Sequence, residues 1–299
     1  MKKLVCLTMI IAAIVTVSFN QKVSAQNPAE ITYQDFYDSL SPYGTWIDYA
    51  GYGHVWRPNV EDGFRPYLTN GYWVYTDAGW LWNSDYDWGW APFHYGTWIY
   101  DDNYGWLWVP GYSWAPAWVT WGSFNGYYGW APLMPGINIG RTFASWRPHA
   151  FYWNIVPCGR MCDRDLTTIR IVDKSAKKLG KHMVIVDNFT NPNQREFYSA
   201  GPRMEEVGRY TNNNISVTRI MDNNRIEKNR VEGANIRVYR PDVRVEQPEQ
   251  ARKADKMNIR PIMDDRQWPK HKFNVRQQRE NIERLPMRRS SMKMPHSRR

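Results

Sequence analysis

The chain contains few aliphatic residues in the stretch that should form its core. Residues 33–153 include only fifteen Leu, Ile, Val and Met, against thirty-eight Trp, Tyr and Phe. A core built mainly from aliphatic side chains is therefore excluded for this stretch. Because one buried aromatic ring removes roughly 150 to 250 Å² from water, a few rings per strand pair can replace a larger aliphatic core.

Lysine is absent from residues 26–150, which carry four Arg and eleven Asp or Glu, a net charge of −7. Residues 201–299 carry twenty-four Lys or Arg and thirteen acidic residues, a net charge of +11. Proteins that bind single-stranded nucleic acid place aromatic and basic side chains on one surface. Here the two kinds of residue lie in different halves of the chain, so nucleic acid is not expected as a partner.

Long hydrophobic segments are also absent. The apolar run at residues 4–19 is shorter than the roughly twenty residues that a transmembrane helix needs. It follows the charged start MKK and leads to the small residues at 23–25, a pattern typical of a secretory signal peptide over residues 1–25 with cleavage before Gln26. We therefore expect no transmembrane segment, and an exported protein in the periplasm or at the outer-membrane surface.

Cysteine is scarce, and only Cys158 and Cys162 follow the predicted cleavage site. Thiols of exported proteins tend to pair, so we predict a disulfide between them, worth about 2 kcal/mol across so short a loop. The alternatives are two free thiols, or a zinc site that includes His149 or His182. Zinc is the weakest alternative because a structural site needs four ligands at regular spacing. We expect no metal and no cofactor.

The aromatic residues recur in a unit of about twenty-six residues, which is set by Trp56, Trp82 and Trp108. Each copy begins with Gly-x-Trp, and the later two copies end in Trp-x-Trp. A period of two places both rings on one face of a strand, and the intervening Asp, Asn and Gly residues favour turns. This pattern predicts consecutive short antiparallel hairpins, with about nine strands between residues 44 and 130.

The predicted fold class is mainly β: tandem short antiparallel β-hairpin repeats rich in Trp and Tyr, followed by a small β-rich module and a disordered basic tail. The predicted domains are a signal peptide (1–25), an aromatic β-hairpin repeat domain (26–150), the β-rich module (151–240) and the tail (241–299). Within the module, strands are predicted at residues 168–172, 183–186, 215–220 and 236–239, with a helix at 202–210. The tail lacks apolar periodicity, and its basic charge predicts contact with anionic envelope polymers.

Five tryptophans of the repeat are the predicted ligand-binding residues: Trp88, Trp90, Trp98, Trp106 and Trp108. In a half-buried strand, Trp106 and Trp108 share one face while Leu107 points to the other. If the leucine face is the core, the tryptophan face forms an exposed ladder, and exposed apolar patches usually mark binding sites. Sugar rings of envelope polysaccharide or peptidoglycan are the expected ligands. The alternative is that the tryptophan face is itself the core.

Four carboxylates among the tryptophans are the candidates for a glycan hydrolase, which needs two facing carboxyl groups. They are Asp85, Asp87, Asp101 and Asp102. All four lie where the repeat needs turns, and turn formation accounts for them. The histidines at positions 54, 94 and 149 occur singly, with no nucleophile in a recognisable motif. We therefore expect no catalytic residues.

Several motifs recur in a fixed order: LSPYGTW, VWRP, FRPYLTNGYWVYTDAGWLW, WGWAPFHYGTW, GWLWVPG, WAPAWVTW and GWAPL. Over residues 36–135 this order resembles an exported bacterial family of unknown function that is marked by Trp-Gly and Trp-x-Pro repeats. The resemblance implies a signal peptide, the aromatic region and a variable end, and it carries over no catalytic residues. The predicted function is a non-enzymatic cell-envelope protein whose repeat domain is a binding or scaffolding module. The alternatives are a structural protein–protein interaction module and a glycan hydrolase.

Overall fold

The computed structural model describes residues 31–137, 146–190, 197–212 and 214–241. The predicted signal peptide and the predicted tail, apart from residue 241, lie outside the described residues. No helix within the described ranges is both long enough and apolar enough to cross a membrane.

Eight strands form four consecutive antiparallel hairpins, which confirms the predicted mainly β fold with one strand fewer than expected. The first hairpin is β1 (Gly44–Tyr49) with β2 (Gly53–Pro58), and the second is β3 (Gly71–Thr76) with β4 (Gly79–Ser84). The third is β5 (Tyr95–Asp101) with β6 (Gly105–Trp114), and the fourth is β7 (Val119–Phe124) with β8 (Tyr127–Pro132).

The other described elements surround these hairpins. The helices are α1 (Tyr33–Leu40), α2 (Asp173–His182) and α3 (Met204–Thr211), with 3-10 turns at Ser41–Tyr43, Ala150–Tyr152 and Cys158–Arg160. The remaining strands are β9 (Asn154–Pro157), β10 (Val184–Ile185), β11 (Phe189–Thr190), β12 (Tyr198–Ser199), β13 (Arg219–Asn223), β14 (Arg230–Glu232) and β15 (Asn235–Tyr239). The predicted strand at 168–172 is wrong. That segment is a turn and loop leading into α2, whose run of Ala, Lys and Leu favours helix.

Each of the four hairpins contains one pair of tryptophans that lie directly opposite each other across its two strands. The pairs are Trp46 with Trp56, Trp73 with Trp82, Trp98 with Trp108, and Trp121 with Trp130. Directly opposite side chains in an antiparallel pair point to the same face and pack together. The twenty-six-residue spacing missed the fourth pair because its hairpin follows the third after a shorter interval.

The glycine of each Gly-x-Trp motif leaves room for the second tryptophan of its own hairpin. A Cβ atom at Gly44 would lie 2.6 Å from Trp56 Nε1, at Gly71 2.7 Å from Trp82 Cζ2, and at Gly96 2.8 Å from Trp108 Nε1. Cβ atoms do not approach other atoms that closely. The repeat therefore requires glycine at this position so that the indole of the opposite strand can lie over the backbone.

Alternate hairpins, rather than consecutive ones, pack together. The first and third share a four-stranded sheet of order β1-β2-β6-β5, in which Trp56 pairs with Trp108. The second and fourth meet through their tryptophans, with the Trp73 ring centre 4.5 Å from that of Trp121 and 5.5 Å from that of Trp130. The two sets meet at Phe93, whose ring centre lies 6.2 Å from that of Trp82 and 5.9 Å from that of Trp98, so the aromatic interior is continuous.

The leucine faces of the hairpins are covered as well. Leu107 is fully buried beside Val55 and Ile99, its neighbours on the same face of the four-stranded sheet, and Leu81 is fully buried against Ile236 and Val238 of β15. A hairpin with apolar side chains on both faces needs a covering element on each side. For the second hairpin, β15 supplies that cover from more than 150 residues further along the chain.

The predicted boundary at residue 150 is crossed by a sheet. Strands β9 and β10 come from the predicted β-rich module, yet they join the fourth hairpin in the order β10-β7-β8-β9. All the described residues belong to one compact unit. Only β13, β14 and β15 form a three-stranded sheet of their own within the described part of that module, and it contains the parallel pair β13–β15.

We predict that Trp108→Ala lowers the free energy of unfolding by about 3 to 5 kcal/mol, the usual penalty for deleting a buried large aromatic side chain. Trp108 is completely buried at the centre of the four-stranded sheet. The matched control is Tyr104→Ala in the β5–β6 turn, where the ring is 41% exposed. Urea denaturation should show a loss below about 1 kcal/mol for this control. Equal losses for the two variants would contradict the assignment of Trp108 to the core.

Candidate functional site

The five predicted ligand-binding tryptophans all lie in the interior. Their exposed fractions are 3% for Trp88, 2% for Trp90, 0% for Trp98, 5% for Trp106 and 0% for Trp108. The prediction of a solvent-facing ladder is therefore wrong. It assumed that one face of the third hairpin is open to water, whereas the tryptophan face and the leucine face of that hairpin are both buried.

Hydrogen bonds and ring contacts hold these side chains in place. Trp98 donates its indole N–H to the Pro92 carbonyl at 2.9 Å, and Trp108 donates to the Tyr95 carbonyl at 2.6 Å. Trp88 stacks on Tyr86 with ring centres 4.4 Å apart. Trp90 packs between Phe36 of α1 and Tyr239 of β15. None of the four presents a free ring face to a sugar.

Trp106 is closed off by a buried arginine. The Arg65 guanidinium lies 5.6 Å from the centre of the Trp106 ring and 4.9 Å from that of Phe151. It donates from Nε to Asn154 Oδ1 at 2.7 Å and from Nη2 to the Phe151 carbonyl at 2.6 Å. Burial, with a contribution from nearby Arg170, lowers the pKa of Arg65 to about 9, so the group stays charged at neutral pH. It clamps the loop before β3 onto β9.

The carboxylates proposed for hydrolysis serve turns and an ion pair. Asp101 accepts a hydrogen bond from the Tyr49 hydroxyl at 2.7 Å and from the amides of Asn103 and Tyr104 at 2.8 and 3.0 Å. Burial acts to raise the pKa of Asp101, but these hydrogen bonds outweigh it and hold the pKa below its usual value. A general acid needs the opposite shift. Asp87 pairs with Lys228 at 3.0 Å.

His94 behaves as a buried structural residue at the end of a strand. Its Nδ1 lies 3.1 Å from the Ala115 carbonyl, which can only accept, so Nδ1 carries the proton. Its Nε2, 2.9 Å from Asn229 Nδ2, is then the acceptor. The ring also stacks on Trp114. Burial lowers the pKa of His94 to about 4, which keeps the imidazole neutral.

Cys158 and Cys162 are both free thiols, so the predicted disulfide is absent from the structure. Cys158 is buried and lines a cavity of about 390 Å³ beside Tyr128 and Glu206, whereas Cys162 is not part of that lining. The two side chains thus occupy different surroundings. Burial raises the pKa of the Cys158 thiol to about 12 and that of Cys162 to about 11, which makes both poor nucleophiles.

The described side chains at the same cavity do not form a recognisable catalytic site. The Tyr128 hydroxyl donates to Glu206 Oε1 at 2.6 Å, which occupies that carboxylate. The imidazole of His182 stacks on the ring of Phe124, another lining residue. Within the described residues, no group of three or more His, Cys, Asp or Glu is placed to hold a metal ion.

Two of the exposed aromatic rings, Tyr37 and Tyr43, lie near the β1 edge of the four-stranded sheet, whereas Tyr104, Phe197 and Tyr210 are exposed at other places. Helix α1 begins with a capping box between Thr32 and Asp35 and buries Phe36 and Leu40. Tyr33 and Tyr37 are one turn apart on the same helix, and both rings lie over Trp46 of the edge strand β1. The edge patch is defined here as Tyr33, Tyr37, Trp46, Asp48 and His54.

The edge patch combines aromatic and polar groups. Tyr37 stacks on Trp46 with ring centres 5.4 Å apart and planes 22° apart, and it is 42% exposed. Tyr33 contacts Trp46 at 5.4 Å and His54 at 6.2 Å. Asp48 lies directly opposite His54 across β1 and β2, and both are exposed. An apolar ring face beside a carboxylate and an imidazole suits a sugar, which has an apolar C–H face and hydroxyl groups at its rim.

Sequence reasoning missed this patch, although two signals for it were present. Thr32 and Asp35 are spaced as in a capping box and predict the start of a helix. Trp46 belongs to the loosest copy of the repeat. Whether its ring is covered depends on which loops and helices fold over its strand, and the repeat spacing does not contain that information.

Residues 37–137 match the model of a family of unknown function, DUF6600. The match begins within α1 and ends just after β8, so it contains all four hairpins. The predicted resemblance over residues 36–135 to a family of unknown function with aromatic repeats is thereby confirmed. No curated protein and no solved structure matches the chain.

We predict that Cys158 and Cys162 are both free thiols in the folded protein. Protein expressed from residue 26 onward, purified without reductant and then unfolded, should react with Ellman's reagent at two sites. In the native state at pH 8 the reaction should be slow, because the raised pKa values leave little thiolate. Absence of reactive thiols before reduction would instead establish the disulfide between Cys158 and Cys162.

We predict that His94 makes the fold sensitive to acid. Its folded pKa of about 4 lies below its unfolded value of about 6.5, so the stabilisation is complete above pH 6.5 and is lost as pH falls towards 4. The loss attributable to this one group is about 3 kcal/mol. Urea denaturation at pH 7 and 4.5 should show a smaller pH dependence for His94→Gln than for the wild type. Identical pH dependence in the two proteins would rule out this role.

Proposed function

We propose that the protein is a non-enzymatic, exported cell-envelope protein whose aromatic repeat domain is a binding and scaffolding module. The observation that supports this proposal is the division of its aromatic residues. The tryptophan pairs of the second, third and fourth hairpins are buried, and among the paired tryptophans Trp46 of the first hairpin alone is partly exposed. A rigid aromatic scaffold that displays a small aromatic surface at one sheet edge is better suited to binding than to turnover.

Envelope glycan, either peptidoglycan or a surface polysaccharide, is the ligand we assign to the edge patch. The exposed face of Tyr37 provides a stacking platform, and Asp48 and His54 provide hydrogen-bonding groups beside it. The proposed glycan contact is thus at Tyr37 and Trp46 rather than at the five core tryptophans. Export follows from the signal-peptide pattern at residues 1–25, and the basic residues after 241 are proposed to contact anionic envelope polymers.

A protein–protein interaction module is the second candidate, and a specific feature favours it. Strand β1 is at the edge of its sheet and pairs only with β2 among the described strands. Its outer backbone groups are therefore open to strand addition, in which a partner's extended segment continues the sheet. The full burial of the five predicted tryptophans is also consistent with a purely structural role.

We predict that Tyr37→Ala weakens retention of the full mature chain on purified peptidoglycan or surface polysaccharide about tenfold, a change of about 1.4 kcal/mol. Tyr37→Phe should retain binding because it keeps the ring. Tyr104→Ala is the matched control, since that ring is equally exposed but lies in the β5–β6 turn.

Thermal unfolding of all three variants should match the wild type, because both positions are exposed. Unchanged retention of Tyr37→Ala on every glycan would show that the edge patch does not bind glycan. A pull-down of an envelope protein that is lost when β1 is disrupted, for example by Thr45→Pro, would then support the second candidate.

A further inference from the structure

Helix α2 concentrates lysine in a chain that otherwise uses it sparingly. Lys174 is the first lysine after Lys22, and Lys177, Lys178 and Lys181 follow within a few residues. Their spacing of three, four and seven residues places all four on one face of a helix. All four side chains are exposed.

The opposite face of α2 packs against the rest of the protein, so the lysine face points to solvent. Ala176, Leu179 and Gly180 are partly buried. A Cβ atom on Gly180 would lie 3.1 Å from Trp153 Cδ1 and 3.3 Å from the Ala150 Cα, so the helix lies close against the protein at this point. The small residues thus allow α2 to pack closely against its neighbours, and the lysine side chains point to solvent.

The lysines have no acidic partners in the described part of the chain. The five ion pairs there involve Arg160, Lys228, Arg230, Arg237 and Arg240, and none involves α2. The only acidic residue of α2 is Asp173 in its first turn. Four positive charges thus face outward without neutralisation.

Two exposed valines lie at the two ends of α2, and one of them, Val184, also lines the cavity beside Tyr128. Val172 is the N-cap residue of α2 and is 46% exposed, and Val184 lies just after the helix in the edge strand β10 and is 65% exposed. The anchor face is defined here as Val172, Lys174, Lys177, Lys178, Lys181 and Val184. It combines apolar side chains at its ends with cations between them.

We propose that the anchor face binds the anionic phosphate head groups of a lipid membrane surface. Lysines near an anionic leaflet are attracted individually and their contributions add, and a helix rise of 1.5 Å per residue spreads the four over about 10 Å, enough to contact several head groups. The valines distinguish a membrane from a soluble polyanion, because only an interface with an apolar interior offers them a place. This inference goes beyond the proposed glycan contact and is independent of it.

The test uses the full mature chain and vesicles of phosphatidylglycerol mixed with phosphatidylcholine, with pure phosphatidylcholine vesicles as the baseline. Replacing all four lysines by Gln should reduce binding in a co-sedimentation assay by roughly a hundredfold. Replacing them by Arg should preserve binding. Raising the salt concentration should weaken binding of the wild type, because exposed charges are screened.

The matched control removes four exposed cations from other elements: Arg57, Arg203, Arg209 and Arg225, each replaced by Gln. It changes the net charge equally and should reduce vesicle binding far less. A reduction as large as that of the α2 variant would overturn the proposal, since general charge would then explain the binding. Unchanged binding of the α2 variant would overturn it as well.

The double variant Val172→Ser, Val184→Ser tests the choice of partner. It should weaken vesicle binding several-fold and leave binding to soluble long-chain polyphosphate unchanged. Full vesicle binding by this variant would overturn the assignment to a membrane in favour of a soluble polyanion. Salt-sensitive self-association in analytical ultracentrifugation that the lysine variant abolishes, together with no vesicle binding, would overturn it in favour of a second copy of this chain.

Discussion

Hydrogen bonds from buried indoles to main-chain carbonyls connect the hairpins to the rest of the fold. An indole N–H left unpaired in the interior costs about 1 to 3 kcal/mol, so each acceptor that the backbone supplies stabilises the tryptophan core. Six tryptophans find an acceptor in the backbone: Trp56 at Leu40, Trp80 at Pro202, Trp98 at Pro92, Trp108 at Tyr95, Trp118 at His94 and Trp130 at Tyr67. Six other buried indole N–H groups have no partner among the described residues, those of Trp46, Trp73, Trp82, Trp114, Trp121 and Trp153. Because the six acceptor carbonyls lie in loops or at the ends of elements, each bond also fastens a connecting segment to the hairpins. The aromatic core thus orders the loops as well as filling the interior.

The sequence predicts the hairpins well because their signals are local. Period-two tryptophans, turn residues between them and a glycine two positions before the first tryptophan all lie within one repeat unit. The residues that decide which face of a hairpin is exposed do not lie within one repeat unit. Leu81 is covered by β15 and Trp106 by Phe151 and Arg65, and each covering residue lies tens of residues or more along the chain from the side chain that it covers. When both faces of a strand are apolar, alternation cannot show which one faces water, and this is why the predicted tryptophan ladder was wrong.

The tetrapeptide YGTW illustrates the limit most directly, since it occurs twice with different outcomes. At residues 95–98, Tyr95 and Trp98 are completely buried, the latter beneath Phe64 and Phe93. At residues 43–46, Tyr43 is exposed and Trp46 is covered only in part, by Tyr33 and Tyr37 of α1. Both copies lie on outer strands of the same sheet, so even strand position does not separate them. The difference comes from the loop after β4, which folds over one edge, while a short helix only partly covers the other.

A core that uses nearly every tryptophan leaves the proposed contacts mainly to two helices. The edge patch combines α1 with Trp46, Asp48 and His54 of the first hairpin, and the anchor face depends on α2. Lysine is absent from the hairpins and reappears on α2, so an acidic scaffold and a cationic surface are built from separate parts of the chain. Substitutions in the hairpins are constrained by the close fit between glycine and indole, whereas the outer faces of α1 and α2 are bound by no such fit. The proposed ligand contacts on these helices can therefore change while the hairpin scaffold is kept.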